Sequence, residues 1–170
     1  MKRGTALTLL MMLAVGLTAC KPGSAPTGTE ATGTVATPEE IGARISESDA
    51  PLTLVHIWAT WCDPCREEFP EVLQAYRDTL DDGLSLLLVS ADDPGDLKDV
   101  DRFLGENQSP VGSLVSTELD EGFIETFSTN WPGALPASFF YDAEGNLLAE
   151  WQGKRTYDDY IETINTLLKP

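Results

Sequence analysis

The sequence has few basic residues, few cysteines and a single histidine. Its 170 residues include 11 Lys and Arg against 28 Asp and Glu, which gives a formal net charge of −17. Nucleic acid and anionic lipid surfaces would repel so acidic a chain, so neither is expected to be its main partner. Three cysteines are too few for a disulfide framework. A chain of this length can bury roughly two-thirds of its unfolded surface and needs no such framework.

The apolar run at the N-terminus is too short to span a membrane. Residues 6–17 carry no charge and follow Lys2 and Arg3. As a helix, this run would cover about 18 Å, against a hydrocarbon core of about 30 Å. The pattern predicts a secretory signal peptide over residues 1–19, which takes no part in the fold. Its removal leaves 9 basic and 28 acidic residues, so the exported chain would be even more acidic.

The end of this segment, Leu17-Thr18-Ala19-Cys20, resembles the lipobox of bacterial lipoproteins. The resemblance implies cleavage before Cys20 and attachment of diacylglycerol to its sulfur, which would anchor the chain to a membrane. The alternative is a plain secretion signal followed by an unrelated cysteine. We expect a lipid-anchored periplasmic protein. Lys21 after the lipidated cysteine favours the inner leaflet of the outer membrane over the inner membrane.

The next segment has no apolar residues that could form a core. Residues 21–36 consist mainly of Pro, Gly, Ser, Thr and Ala. This composition predicts a flexible linker that extends from the lipidated Cys20 to Ala36. One globular domain is then expected over residues 37–170.

In that domain, apolar runs alternate with amphipathic segments. Strands are predicted over residues 52–59, 84–91, 111–115, 137–142 and 146–152. Helices are predicted from Thr37 and over residues 62–80, 94–106, 117–127 and 157–168, the fourth opened by a capping pair of Thr117 and Asp120. The alternation predicts an α/β fold with parallel strands and right-handed crossovers, closed by a β-hairpin around residues 143–145.

Cys62 and Cys65 lie where the first of these strands gives way to a helix. The free backbone N–H groups and the dipole of a helix N-terminus stabilise a thiolate, so Cys62 is the expected nucleophile. Three residues further on, Cys65 lies on the same helix face, and a small adjustment would bring the two sulfurs to disulfide distance. Cys65 is thus placed to resolve a mixed disulfide.

Other roles for the two cysteines fit the sequence less well. A zinc site needs about four ligands, but with Cys20 lipidated only Cys62, Cys65 and His56 remain, so no metal site is expected. A structural disulfide over so short a loop would stabilise weakly. A copper(I)-handling or adaptor lipoprotein is the alternative function, because thiolates suit that ion, although no Met or His cluster supports it. A peroxiredoxin would need its reactive cysteine in a different motif.

The segment Trp-Ala-Thr-Trp-Cys-Asp-Pro-Cys over residues 58–65 resembles the WCxxC active site of thioredoxin-fold proteins. Pro70 matches a proline in the family's active-site helix, and the residues around Leu135 and Pro136 resemble its cis-proline loop. An extra strand and helix between residues 108 and 129, with the export signal, resemble the membrane-anchored TlpA/ResA branch. The resemblance covers residues 51–168. It implies a thioredoxin fold whose central mixed sheet is flanked by helices and carries a β-α insertion.

The resemblance implies a thiol-disulfide oxidoreductase that reduces protein disulfides outside the cytoplasm. Its Cys62/Cys65 pair would be the redox centre, with no separate cofactor. Trp61, Leu135 and Pro136 would position the target, and a DsbD/CcdA-type membrane protein would supply electrons. Apocytochrome c, a copper-site assembly protein and a general periplasmic disulfide all remain open as clients.

Two positions near the cysteines depart from the family pattern or allow two interpretations. His56 stands where thioredoxins carry a buried acid, and it would either accept the Cys65 proton or be a neutral core residue. The apolar strand around it favours the second. Asp93, next to Asp92 at the end of a strand, would either assist thiol titration or cap the following helix, and capping is favoured.

Acidic residues follow the cysteines closely. Asp63 lies between them, Glu67 and Glu68 lie one turn further on, and only Arg66 opposes their charge. These acids either tune the cysteines or simply form a solvated helix face. Negative charge beside Cys62 disfavours its thiolate and so disfavours the reduced form. This favours a reductant over a DsbA-like oxidant.

Overall fold

Six strands form one mixed sheet in the computed structural model, which describes residues 31–169. The strands are β1 (Gly33–Ala36), β2 (Leu52–Trp58), β3 (Leu84–Ser90), β4 (Ser113–Ser116), β5 (Ala137–Asp142) and β6 (Leu147–Gln152). Their spatial order is β1-β4-β3-β2-β5-β6. The strands β1 to β4 run parallel to one another, whereas β5 pairs antiparallel with β2 and β6 pairs antiparallel with β5. This confirms the predicted mixed sheet and its terminal hairpin.

Within residues 31–169, five α-helices cover the two faces of the sheet. They are α1 (Pro38–Ser46), α2 (Asp63–Thr79), α3 (Leu97–Glu106), α4 (Glu121–Phe127) and α5 (Tyr157–Leu168). Apolar side chains of α2, α3 and α5 share one core cluster, and those of α1 and α4 share the other. β2 is buried at every residue because helices lie on both sides of it.

The side chains of β2 alternate between the two cores. Leu54 and Trp58 belong to the cluster beneath α2, whereas Val55 and Ile57 face α1 and α4. His56 has the parity of the first group and lies near Phe69 of α2, with 6.4 Å between ring centroids. The alternation therefore places His56 on the same side of the sheet as the two cysteines.

The predicted linker ended too late in the chain. Residues 33–36 form β1, which pairs in parallel with β4, and the Gly33 N–H donates to Asp101 Oδ1 over 2.7 Å. The prediction was wrong at this end because an edge strand is held by backbone hydrogen bonds and needs no apolar face. Small residues assist it, since a Cβ on Gly33 would lie 2.9 Å from the Leu97 side chain. The folded domain therefore includes residues before Thr37.

The predicted start of the fourth helix was also wrong. Asp120, not Thr117, caps α4, and its Oδ1 accepts from the Phe123 N–H over 3.1 Å. Thr117 instead continues the pairing of β4, because its backbone N–H donates to the Ala36 carbonyl over 2.9 Å. The capping boxes of α1 and α5, at Thr37 and Thr156, are both present.

The N-terminal predictions lie outside the described residues. These are the signal peptide, the lipidated Cys20 and the first part of the linker. Within residues 31–169, no helix combines the length and the apolar character that crossing a membrane requires.

Candidate active site

Cys62 caps the N-terminus of α2, and Cys65 lies in its first turn. A disulfide joins them, with 5.2 Å between their Cα atoms. The Cys65 backbone N–H donates to Cys62 Sγ over 3.3 Å, so the free N–H groups of the helix start lie at that sulfur. Cys62 is 6 % exposed, whereas Cys65 is fully buried. A partner can therefore reach the sulfur of Cys62 first.

A groove of about 730 Å³ opens beside Cys62. Its lining comes from four parts of the chain: Trp61 to Pro64 at the start of α2, Ala91 just after β3, Leu119 with Phe123 and Ile124 just before and within α4, and Trp131 to Gly133 with Leu135 in the loop before β5. Trp61 is 65 % exposed. We call this surface the active-site groove. Its largely apolar walls suit an apolar side chain of a bound polypeptide.

The Leu135–Pro136 peptide bond is cis. Leu135 lines the groove, whereas Pro136 is buried and its carbonyl accepts from the Gly153 N–H over 2.8 Å. Trp131 holds the same loop, since its Nε1–H donates to the Ala134 carbonyl over 2.9 Å. The structure thus places Trp61 and Leu135 with Cys62 in the lining of one groove, whereas Pro136 is not part of that lining.

His56 is a buried, neutral residue. Desolvation lowers its pKa to about 3, so the imidazole carries no charge near neutral pH. Its Nδ1 lies 3.1 Å from Ser138 Oγ, and its Nε2 has no partner among the described residues. These observations fit the predicted neutral core histidine. An imidazole with so low a pKa is a weak base for direct proton transfer from Cys65.

Glu68 is fully buried, so the alternative interpretation, a solvated helix face, is wrong at this residue. It lies three residues after Cys65, on the side of α2 that faces the sheet. Its Oε1 accepts from the Tyr160 hydroxyl over 2.6 Å and from the Arg155 N–H over 3.0 Å. Burial raises the pKa of Glu68 to about 7, although both hydrogen bonds favour the carboxylate. A buried carboxyl of this pKa can accept or release a proton near neutral pH.

The two neighbouring acids after β3 have different roles. Asp93 is exposed and caps the 3₁₀ turn Pro94–Asp96, where its Oδ1 accepts from the Gly95 N–H over 2.7 Å. Capping, the favoured interpretation, is therefore what the structure gives Asp93. The buried acid is Asp92, which accepts from the backbone N–H and hydroxyl of Thr60 and from the Ser90 hydroxyl. Asp92 thereby holds the turn that leads from β2 to Cys62.

A family model described as the AhpC/TSA family matches residues 28–149, more than half of the chain. The chain belongs to the AhpC/TSA family. The thiol:disulfide interchange protein HelX of Rhodobacter capsulatus is 32% identical over 136 residues, which cover 76% of this chain and 71% of HelX. The thiol-disulfide oxidoreductase ResA of Bacillus subtilis is 26% identical over 76% of this chain and 69% of ResA. The chain covers 61% of the ResA of Oceanobacillus iheyensis, at 27% identity.

Solved structures with the same fold include a thioredoxin-family thiol:disulfide interchange protein from Chlorobium tepidum. It superposes with a TM-score of 0.61 at 22% identity, over 75% of this chain and 84% of that one. StoA from Bacillus subtilis gives a TM-score of 0.53 at 20% identity, over 68% of this chain and 83% of StoA. These likenesses establish the thioredoxin fold.

This AhpC/TSA protein is a thioredoxin-like thiol-disulfide oxidoreductase with a Cys62–Cys65 redox pair. Two features of its site have only weak signals in the sequence. One is the wall that α4 contributes to the groove. Its signal in the sequence is a short apolar segment over residues 117–127 with an approximate capping pair. The other is buried Glu68, whose spacing from Cys65 and Val72 on one helix face was the available signal.

Proposed function

We propose that the chain reduces protein disulfides outside the cytoplasm, with Cys62 as nucleophile and Cys65 as resolving residue. The observation that carries this proposal is the unequal burial of the two sulfurs. Cys62 borders the active-site groove, and Cys65 lies wholly behind it. The redox pair is itself the reacting group, so the reaction as written needs no separate cofactor.

In the first step, the Cys62 thiolate attacks one sulfur of the target disulfide. A mixed disulfide forms, and the second target sulfur leaves as a thiolate that takes up a proton. The N–H groups at the start of α2 support the Cys62 thiolate, since one of them already donates to this sulfur. Trp61 and Leu135 flank the groove in which the target segment would lie.

In the second step, Cys65 attacks Cys62 Sγ and releases the first target sulfur as a thiolate. Cys65 must lose its proton before it attacks. Glu68 is the buried base one turn away on the same helix, and its pKa of about 7 suits this transfer near neutral pH. Two electrons pass from the dithiol to the target, and the enzyme is left with its Cys62–Cys65 disulfide.

The reducing direction is supported by the acidic groups around the pair. The Asp63 side chain is 86% exposed, and its partner Arg66 lies 3.6 Å away in solvent, where the pair is weak. Buried Glu68 adds a carboxyl near Cys65. Negative charge disfavours both thiolates and with them the reduced form. Equilibration with a glutathione couple tests the direction, and a midpoint as oxidising as that of DsbA, about −120 mV, would contradict it.

The rest of the proposal concerns location and partners. Lipidation of Cys20 would hold the domain at the periplasmic side of a membrane, with the inner leaflet of the outer membrane favoured by Lys21. A DsbD/CcdA-type membrane protein would return electrons to the pair. Apocytochrome c is a fitting client, since such proteins need reduced cysteines. Palmitate labelling of the wild type and of Cys20→Ser in the bacterial host tests the anchor, and equal labelling of both would overturn it.

The central experiment compares two cysteine variants. Cys62→Ser should abolish reduction of a protein disulfide, because the accessible nucleophile is gone. Cys65→Ser should accumulate mixed disulfides through Cys62, which mass spectrometry of the captured partners would identify. Undiminished turnover in either variant would overturn the mechanism. Tight one-to-one copper(I) binding by a reduced protein without reductase activity would favour the copper-handling alternative.

A further inference from the structure

Four buried polar side chains form a continuous chain between the sheet and helices α2 and α5. His56 Nδ1 lies 3.1 Å from Ser138 Oγ, which lies 2.8 Å from the Tyr160 hydroxyl. The Tyr160 hydroxyl lies 2.6 Å from Glu68 Oε1. All four residues are buried to 1% exposure or less. The chain therefore connects the buried base of the active site to a histidine on the central strand.

We propose that His56, Ser138 and Tyr160 are positioning residues that act through Glu68, with every hydrogen bond of the chain directed toward the Glu68 carboxylate. The catalytic part of this inference rests on the proposed function. The directions of the hydrogen bonds do not, because they follow from counting protons.

A hydroxyl has a single proton to donate. When Glu68 is ionised, it can only accept, so the Tyr160 proton lies on the bond to Glu68. Ser138 must then donate to the Tyr160 oxygen, since Tyr160 has no second proton. Nδ1 of His56 must in turn donate to Ser138. The neutral imidazole is thereby fixed as the Nδ1–H tautomer, because the partner of one ring nitrogen decides where the proton lies.

The residues at the two ends of this hydrogen-bond chain, His56 and Glu68, agree with this direction. Nε2 of His56 and Oε2 of Glu68 have no partner among the described residues. In the Nδ1–H tautomer, Nε2 is a bare acceptor and leaves no buried N–H group unpaired. At the other end, Oε2 remains free to receive a proton from Cys65 while Oε1 keeps its bonds to Tyr160 and to the Arg155 N–H. Proton uptake by Glu68 thus requires no rearrangement of the chain.

The hydrogen-bond chain stabilises the ionised form of Glu68, which burial disfavours. Hydrogen bonds to a carboxylate stabilise the ionised form, and a series of bonds that all point one way strengthens the last of them. The other charged groups that face Glu68 are Lys154 and Arg155, from the segment before α5. Without the Tyr160 hydroxyl, the pKa of Glu68 would rise further, so a smaller fraction of Glu68 would be ionised at neutral pH and able to take a proton from Cys65.

The first test is a spectroscopic one that does not depend on activity. His56 is the single histidine of the sequence, so the imidazole ¹⁵N resonances of the protein belong to it alone. We expect a protonated Nδ1 and an unprotonated Nε2 between pH 6 and 8. In Ser138→Ala, Nδ1 loses its hydrogen-bond acceptor, so the Nδ1–H tautomer should no longer be fixed. Tyr141→Phe should preserve it, since the Tyr141 hydroxyl donates to the Phe127 carbonyl on the other side of the sheet. A protonated Nε2 in the wild type would overturn the proposal.

The second test measures resolution of a mixed disulfide. A chromogenic thiol is attached to reduced Cys62, and its release by Cys65 is followed against pH. Tyr160→Phe should slow release about tenfold at pH 7 and move the midpoint of the pH profile upward, because a hydrogen bond to a charged group is lost. Tyr141→Phe should leave the profile unchanged. Equal profiles for the wild type and Tyr160→Phe would overturn the positioning role, whereas no release by the wild type would overturn the proposed function itself.

Discussion

Glu68 carries a carboxyl group on the face of α2 that otherwise packs apolar side chains against the sheet. Its neighbour Phe69 and Val72, one turn on, are both fully buried in that core. The free energy of placing a charge there is unfavourable, and hydrogen bonds from Tyr160 and from the Arg155 N–H offset it only in part. A residue so placed stabilises the domain less than an apolar side chain would, which is typical of groups retained for chemistry.

This penalty depends on pH, and its sign can be tested with Glu68→Gln. The pKa of Glu68 is about 7 in the folded protein against an ordinary value of 4.5, so the folded state binds the proton more tightly. The free energy of unfolding should therefore fall as the pH rises from about 4.5 to 7 and stay lowered above that. Glu68→Gln removes the charge, so the oxidised variant should gain up to about 3 kcal/mol over the wild type at pH 8 and little at pH 4.

Urea unfolding of the oxidised proteins at pH 4 and pH 8 measures this difference. Oxidation keeps thiol titration out of the comparison. Glu67→Gln is the matched control, because Glu67 is exposed and pairs with Lys154 over 2.7 Å at the surface. Its free energy of unfolding should change little at either pH, because solvent screens the exposed pair. Equal pH dependence of the free energy of unfolding in the wild type and Glu68→Gln would mean that burial does not raise the pKa of Glu68.

At the scale of helices and strands, local signals decided what the sequence could predict. β2 was predictable because it is an almost continuous apolar run, and α5 because its apolar residues follow helical spacing. Cys62 and Cys65 were predictable for the same reason, since their chemistry follows from their place at a helix start. Each of these features is determined by residues close together in the chain.

Features that depend on distant contacts were not predictable. The position of β1 depends on hydrogen bonds with β4 and with Asp101, both of which are distant from it in the sequence. The burial of Glu68 depends on the segment around Arg155, which covers it. The groove wall depends on α4 packing beside the cysteines. Composition and periodicity report none of these contacts. The sequence therefore indicates a flexible linker at residues 33–36 and allows a solvated helix face at Glu68, and neither holds in the structure.

The helix α4 offers a prediction that separates its true cap from the predicted one. Asp120→Ala removes the acceptor of the Phe123 N–H and should lower the free energy of unfolding by about 1 kcal/mol. Because Phe123 and Ile124 line the active-site groove, the variant should also raise the KM for a protein disulfide. Thr117→Ala is the matched control, since the exposed Thr117 pairs only through its backbone. Thermal unfolding and reductase kinetics measure both effects. A larger loss of stability in Thr117→Ala than in Asp120→Ala would mean that Thr117 caps the helix, as the sequence predicts.

At the scale of the whole molecule, the excess of acidic residues is the dominant electrostatic feature. The chain has 28 acidic and 11 basic residues, and the exposed Asp63 lies at the mouth of the active-site groove. The electrostatic field of this negative charge attracts cationic polypeptides and repels anionic ones. Added salt screens the field, with a screening length of about 10 Å at 0.1 M. The proposed client should therefore carry basic residues near its cysteines.

Paired disulfide peptides that differ only in flanking Lys or Glu residues test this steering. At 10 mM salt, kcat/KM for the basic peptide should exceed that for the acidic one by about tenfold or more, because opposite charge raises the encounter rate. At 0.5 M salt the two values should converge, the basic peptide slowing and the acidic one gaining. An uncharged disulfide serves as the control and should respond little to salt. Parallel salt curves for the two peptides would show that the charge of this protein has no part in choosing its target.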